Sequence, residues 1–104
     1  MAKVRVYQPQ ESHLEEVKNY IDIQEENPTT EVLNNWYSVV MDFQENQLPL
    51  SDEELLIGSI ESMVNVSQTK LRDFGEYDVI QVENKGKSYK LLMLPDDEYE
   101  VIED

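Results

Sequence analysis

Near Gly75 the spacing of apolar residues changes, and that change restricts the chain to folds that mix helices with sheet. Between Pro9 and Gly75 apolar side chains recur every three or four residues, the period of a helix with one buried stripe. After it, Tyr77–Glu83 and Ser88–Leu94 are β-rich runs joined by Asn84-Lys85-Gly86-Lys87, which suits a hairpin whose turn places glycine in the left-handed position. The expected architecture is therefore α+β: a short N-terminal strand, three main helices plus a short fourth helix, and a C-terminal β-hairpin with room for a third strand.

The segments follow from local signals. Val4 and Val6 alternate with Arg5 and Tyr7 before Pro9, which predicts the opening strand. Ser12 and Glu15 fit a capping box, and Leu14, Val17 and Ile21 share a stripe, so a first helix is expected over 12–26, ended by Asn27-Pro28. Thr29 or Thr30 can cap a second helix, in which Val32, Leu33, Trp36, Tyr37, Val40 and Phe43 fall at helical spacing and Trp36 belongs to the core. Leu48-Pro49-Leu50 breaks it. Ser51 and Glu54 repeat the capping box, with Leu50 and Leu55 placed for a hydrophobic staple, and Leu56, Ile60, Met63 and Val64 form the third helix's buried stripe. Gly58 inside that helix costs about 1 kcal/mol relative to alanine. Ser67 and Gly75 bracket a short fourth helix, and Tyr99, Val101 and Ile102 offer an edge strand within an acidic end, 96–104, that is otherwise a tail.

At 104 residues the whole chain, 1–104, is expected to form one domain. Cysteine is absent, so there is no disulfide, thiolate metal site or cysteine nucleophile, which suits a reducing cytoplasm. The first residues carry no apolar run like a signal peptide, and no stretch approaches membrane-spanning length. The single histidine, His13, lies beside Ser12 on a helix, where neighbouring residues point in different directions, so it reads as a surface residue. The acidic clusters Glu25-Glu26, Asp52-Glu53-Glu54 and Asp96-Asp97-Glu98 lack calcium-loop spacing, and Gly58, Gly75 and Gly86 are too scattered to cradle phosphate. No enzyme activity, metal or cofactor is expected.

Residues 57–74 are arranged like a helix-turn-helix: Ile60 and Val64 in the first helix, Asn65 and Val66 at the turn, Leu71 and Phe74 in the second. With the hairpin as a wing, 30–95 resembles the winged helix-turn-helix superfamily, although Glu61 stands where a small residue is usual. The resemblance implies a DNA-binding transcriptional regulator that uses Gln68, Thr69, Lys70 and Arg72 of residues 67–74 in the major groove and Lys85 and Lys87 of the wing at 84–87. Charge placement agrees: Met63–Lys90 holds five of the eight bases against four acids, a net +1 where the remainder carries −16.

The other feature is acidity. The net charge is −15, and residues 11–61, which span the three expected main helices, hold thirteen acids against Lys18. Carboxylates spaced along helices can imitate a row of phosphates, and a field of that sign steers basic proteins toward it while repelling bare nucleic acid and anionic membrane. The leading expectation is an acidic face, Glu11, Glu15, Glu16, Asp22, Asp52 and Glu53, that binds a basic, nucleic-acid-handling protein and inhibits or regulates it. In composition alone the chain is similar to small acidic inhibitors of phages and mobile elements, including DNA mimics. The same acids also serve as solvated helix surface and as favourable charges in helix first turns.

Overall fold

A computed structural model describes residues 2–45, 49 and 51–103. Its centre is an antiparallel five-stranded sheet in the order β2-β1-β3-β4-β5. The strands are β1 (Ala2–Pro9), β2 (Tyr37–Glu45), β3 (Val79–Asn84), β4 (Lys87–Leu94) and β5 (Glu98–Glu103). Three helices accompany it: α1 (Leu14–Lys18), extended by a 3-10 turn before it (Glu11–His13) and a wide π turn after it (Asn19–Ile23); α2 (Thr30–Trp36); and α3 (Glu53–Asn65). The sheet dominates, so the helix-rich layout expected from the sequence is wrong in its balance.

Two segments account for the error. The expected second helix stops at Trp36, and Tyr37–Glu45 is instead an edge strand that pairs along the whole of β1, with an irregularity between Val6 and Tyr7 where Val40 has no opposite residue. Tyr37, Val39, Met41 and Phe43 also recur at period two in the sequence, and pairing with β1 makes the segment a strand, in which the irregularity at Val40 leaves Tyr37 in one core and turns Val40, Met41 and Phe43 to the other. The expected fourth helix over 67–74 does not form. Its backbone is a series of turns, because side chains take the donors a helix would have used. The Gln8 side-chain oxygen accepts from the Leu71 (2.7 Å) and Arg72 (3.3 Å) amides, and the Asn65 side-chain oxygen accepts from the Phe74 amide (2.7 Å).

Strand alternation explains the two cores. Val4, Val6, Ile80, Val82, Leu91 and Met93 point to one face, where α3 lays down Leu56, Ile60 and Val64. Tyr7, Val79 and Leu92 point to the other, against Val17, Ile21, Leu33 and Tyr37 from the N-terminal helices and β2. Trp36 is only half-buried at the margin of this second core, edge-on to Tyr20 and stacked on His13.

Capping differs in detail from expectation. Asp52, not Ser51, caps α3, its carboxylate accepting from the Glu54 and Leu55 amides, and Leu55 is exposed; the proposed staple partner Leu50, like Leu48, lies outside the described residues. Thr29 caps α2 through the Val32 amide, whereas the Ser12–Glu15 box is replaced by a 3-10 entry with no side-chain cap. The β3–β4 turn is tighter than expected. Asn84 pairs with Lys87, and the two central residues, Lys85 and Gly86, both take positive φ (53° and 78°), the arrangement that matches strand twist. β5 pairs with β4 over six residues, so the acidic end is a strand through Glu103.

Candidate functional site

With Leu56, Ile60 and Val64 turned into the core, the residues Glu54, Ile57, Gly58 and Glu61 form a second stripe along one flank of α3, at spacings of three and four. That flank faces the 74–76 segment and the β4–β5 turn across an open groove of about 900 Å³. Ile57, Phe74, Met93 and Tyr99 give it an apolar floor. Glu54, Glu61, Glu76, Asp96, Asp97 and Glu98 edge it, all exposed, and no described basic residue lines it. The turn that carries three of these acids holds Asp96 and Asp97 at φ 65° and 59°, a left-handed region that aspartate enters more readily than bulkier side chains. The Tyr99 hydroxyl donates to Glu53 Oε1 (3.1 Å), tying β5 to the first turn of α3; this bond raises the tyrosine's pKa.

Gly58 lies exposed in the middle of that stripe. A Cβ built on it would meet nothing within 4 Å, so neither packing within the chain nor a left-handed backbone requires glycine there. Among the described residues no group of three acidic or histidine side chains is arranged to hold a metal ion, so the carboxylates edge the groove without converging.

A second polar cluster is internal. Gln8, fully buried, donates to Asp78 Oδ2 (2.9 Å) and to the Arg72 carbonyl (2.9 Å) while accepting from the Leu71 and Arg72 amides. Asp78 Oδ2 also accepts from the Gly75 amide (3.0 Å). Burial pushes the Asp78 carboxyl up to about 7, outweighing the hydrogen bonds from Gln8 and Gly75 and the charge of Arg72. Asp78 Oδ1 and Arg72 Nη1 are buried without a hydrogen-bond partner among the described residues. This cluster fastens the 66–78 segment to β1.

The six acids singled out in the sequence do not share one face. Glu11, Glu15, Glu16 and Asp22 belong to the helical turns on one side of the sheet, and Asp52 and Glu53 to α3 on the other. Most of them have internal partners: Glu11 with Arg72, Glu16 with His13, Asp22 with the Tyr77 hydroxyl, Asp52 with its own helix and Glu53 with Tyr99. Glu15 is exposed.

The bases are dispersed as well. Lys70 donates to the Asn65 carbonyl (2.7 Å) and to Asp73 (2.6 Å), Arg72 donates to the Pro9 carbonyl (2.7 Å), and Lys90 is buried. Gln68 and Thr69 are exposed in the turns before them. Lys85 and Lys87 are exposed beyond the Asn84 end of β3, whereas the 67–74 segment is bonded to Gln8 beside the Val79 end. Without a helix at 67–74, these residues are not presented as a recognition helix beside a wing.

The groove's acids escaped the sequence reading as a set. Asp96-Asp97-Glu98 stood out as a cluster and Glu61 as an oddity, but only the packing of α3 against the β4–β5 end brings them together. The one signal for the α3 flank was the period-3.6 stripe Glu54, Ile57, Gly58, Glu61 next to the buried one. No protein-family model, curated protein or solved structure matches the chain. No helix among the described residues is long and apolar enough to cross a membrane.

Proposed function

We propose that this protein is a non-enzymatic binding protein that presents carboxylate-rich surface to a basic, nucleic-acid-handling partner and restrains it, in the manner of a DNA mimic. The observation that carries this reading is the groove, where exposed carboxylates surround an apolar floor with no basic residue along it among the described residues. Charge elsewhere supports it: with a net charge of −15 the field around the molecule is strongly negative, while Lys70 and Arg72 are engaged locally and Lys90 is buried. A basic protein would be drawn in fast and would exchange part of its phosphate contacts for carboxylates.

The test is binding to a panel of purified DNA-binding proteins, with and without a competing duplex. The expected outcome is capture of at least one of them, weakened by salt and displaced by duplex. Capture that duplex leaves untouched would refute mimicry, and failure to bind any basic protein at low salt would refute the reading as a whole.

A further inference from the structure

We infer that the groove between α3 and the β4–β5 turn is the docking site for a cationic segment of a partner polypeptide that carries one bulky apolar anchor side chain. This rests on the proposed function and specifies where and how the partner is held. The chemistry asks for both halves of that ligand. A purely basic segment would leave the half-buried Ile57 and Tyr99 facing water, and a purely apolar one would set uncharged surface against six carboxylates. An apolar anchor on the floor with lysine or arginine on either side satisfies both.

Gly58 supplies an independent argument. A glycine in the middle of a helix weakens it, and here the space above the glycine is empty and opens into the groove. The missing side chain lowers the α3 wall, so that a partner backbone can approach the helix closely. A second copy of this chain does not suit the site, since it brings a net charge of −15 to an acidic rim, and nucleic acid is repelled for the same reason. A single metal ion is disfavoured because the described acids do not converge.

The experiment titrates the 15N-labelled full chain, at about 50 mM salt, with two short synthetic peptides: lysines and arginines around a central leucine, and the same sequence with serine at the centre. The leucine peptide is expected to bind at least about tenfold tighter and to shift the amides of Ile57–Glu61, Phe74–Glu76 and Asp96–Tyr99. Gly58→Leu is expected to keep the native spectrum and heat resistance and to lose the leucine peptide's advantage. Equal affinity for the two peptides, shifts confined to Glu11–Ile23, unchanged binding by Gly58→Leu, or no binding of either peptide would each overturn the groove as the docking site. None of those results removes the broader reading, which falls only if the purified basic proteins also fail to bind.

Discussion

The two faces of the sheet are buried by different means. Beneath α3 the fully buried side chains are all aliphatic: Val4, Val6, Leu56, Ile60, Val64, Ile80, Val82 and Leu91. Beneath the N-terminal helical turns the core is built on tyrosines, from the sheet and from the segment leading into β3, and each hydroxyl needs a partner: Tyr7 on Gln81 (3.2 Å), Tyr37 on the Tyr77 carbonyl (2.8 Å), Tyr77 on Asp22. The difference decides what the surface acids are available to do. α3 is held by its buried stripe, so the carboxylates along its groove flank are spared for contacts outside the chain. The N-terminal cover is short and irregular, and Glu11, Glu16 and Asp22 are enlisted to hold it in place.

The largest expected effect comes from breaking the aliphatic face. Leu56→Ala removes a fully buried side chain from α3 and should cost about 2–5 kcal/mol in urea unfolding; a loss below about 1 kcal/mol would mean that α3 is not anchored as described. Gln8→Ala, at the polar end of the sheet, strands Asp78 and the Leu71 and Arg72 amides, and a loss of roughly 2–4 kcal/mol is expected, with hydrogen exchange quickening first in 66–78.

The neighbouring carboxyl gives a dependence on pH. Asp78 has an ordinary pKa of 3.8 that burial raises to about 7, so between about pH 4 and pH 7 the folded chain keeps a proton the unfolded chain has lost. The stability contributed by this group is complete below that window and drains away as pH rises through it. Asp78→Asn cannot lose a proton there, so its stability relative to the unsubstituted chain should climb from pH 4 to pH 7 and then level off. Parallel stability curves for the two proteins would disprove the shift.

Two smaller effects sharpen the contrast between the faces. Tyr37→Phe deletes the bond to the Tyr77 carbonyl in the aromatic core and should cost about 1–2 kcal/mol in thermal or chemical unfolding. Gly58→Ala, on the open flank of α3, should have the opposite sign and add about 0.5–1 kcal/mol. A destabilising alanine would show that the space above Gly58 is needed by the chain itself.

Legibility in the sequence followed the range of the interactions. The β3–β4 hairpin and α3 depend on neighbours within a few residues, and their turn and stripe were readable; the opening strand pairs with distant strands, but its alternation was readable as well. Tyr37–Glu45 was not, because Trp36, Tyr37, Val40 and Phe43 satisfy a helical spacing while Tyr37, Val39, Met41 and Phe43 satisfy a strand's, and the choice lies with a partner strand some thirty residues earlier. The 67–74 segment misled for a related reason. Ser67 and Gly75 are sound helix boundaries, but Gln8, more than sixty residues away in sequence, competes for the backbone between them.

The sequence by itself determined an acidic α+β chain with a separate, nearly neutral stretch over 63–90, since charge, composition and short-range periodicity need no partner to be read. The tertiary structure alone decided which acids are occupied and which are available. It placed α1 and α3 on opposite faces, which divides the acids once grouped as one surface, and it brought Glu54 and Glu61 beside Glu76 and the 96–98 turn. The physical reason is that a carboxylate's role depends on what lies within a few ångströms of it, and for these residues those neighbours come from distant parts of the chain.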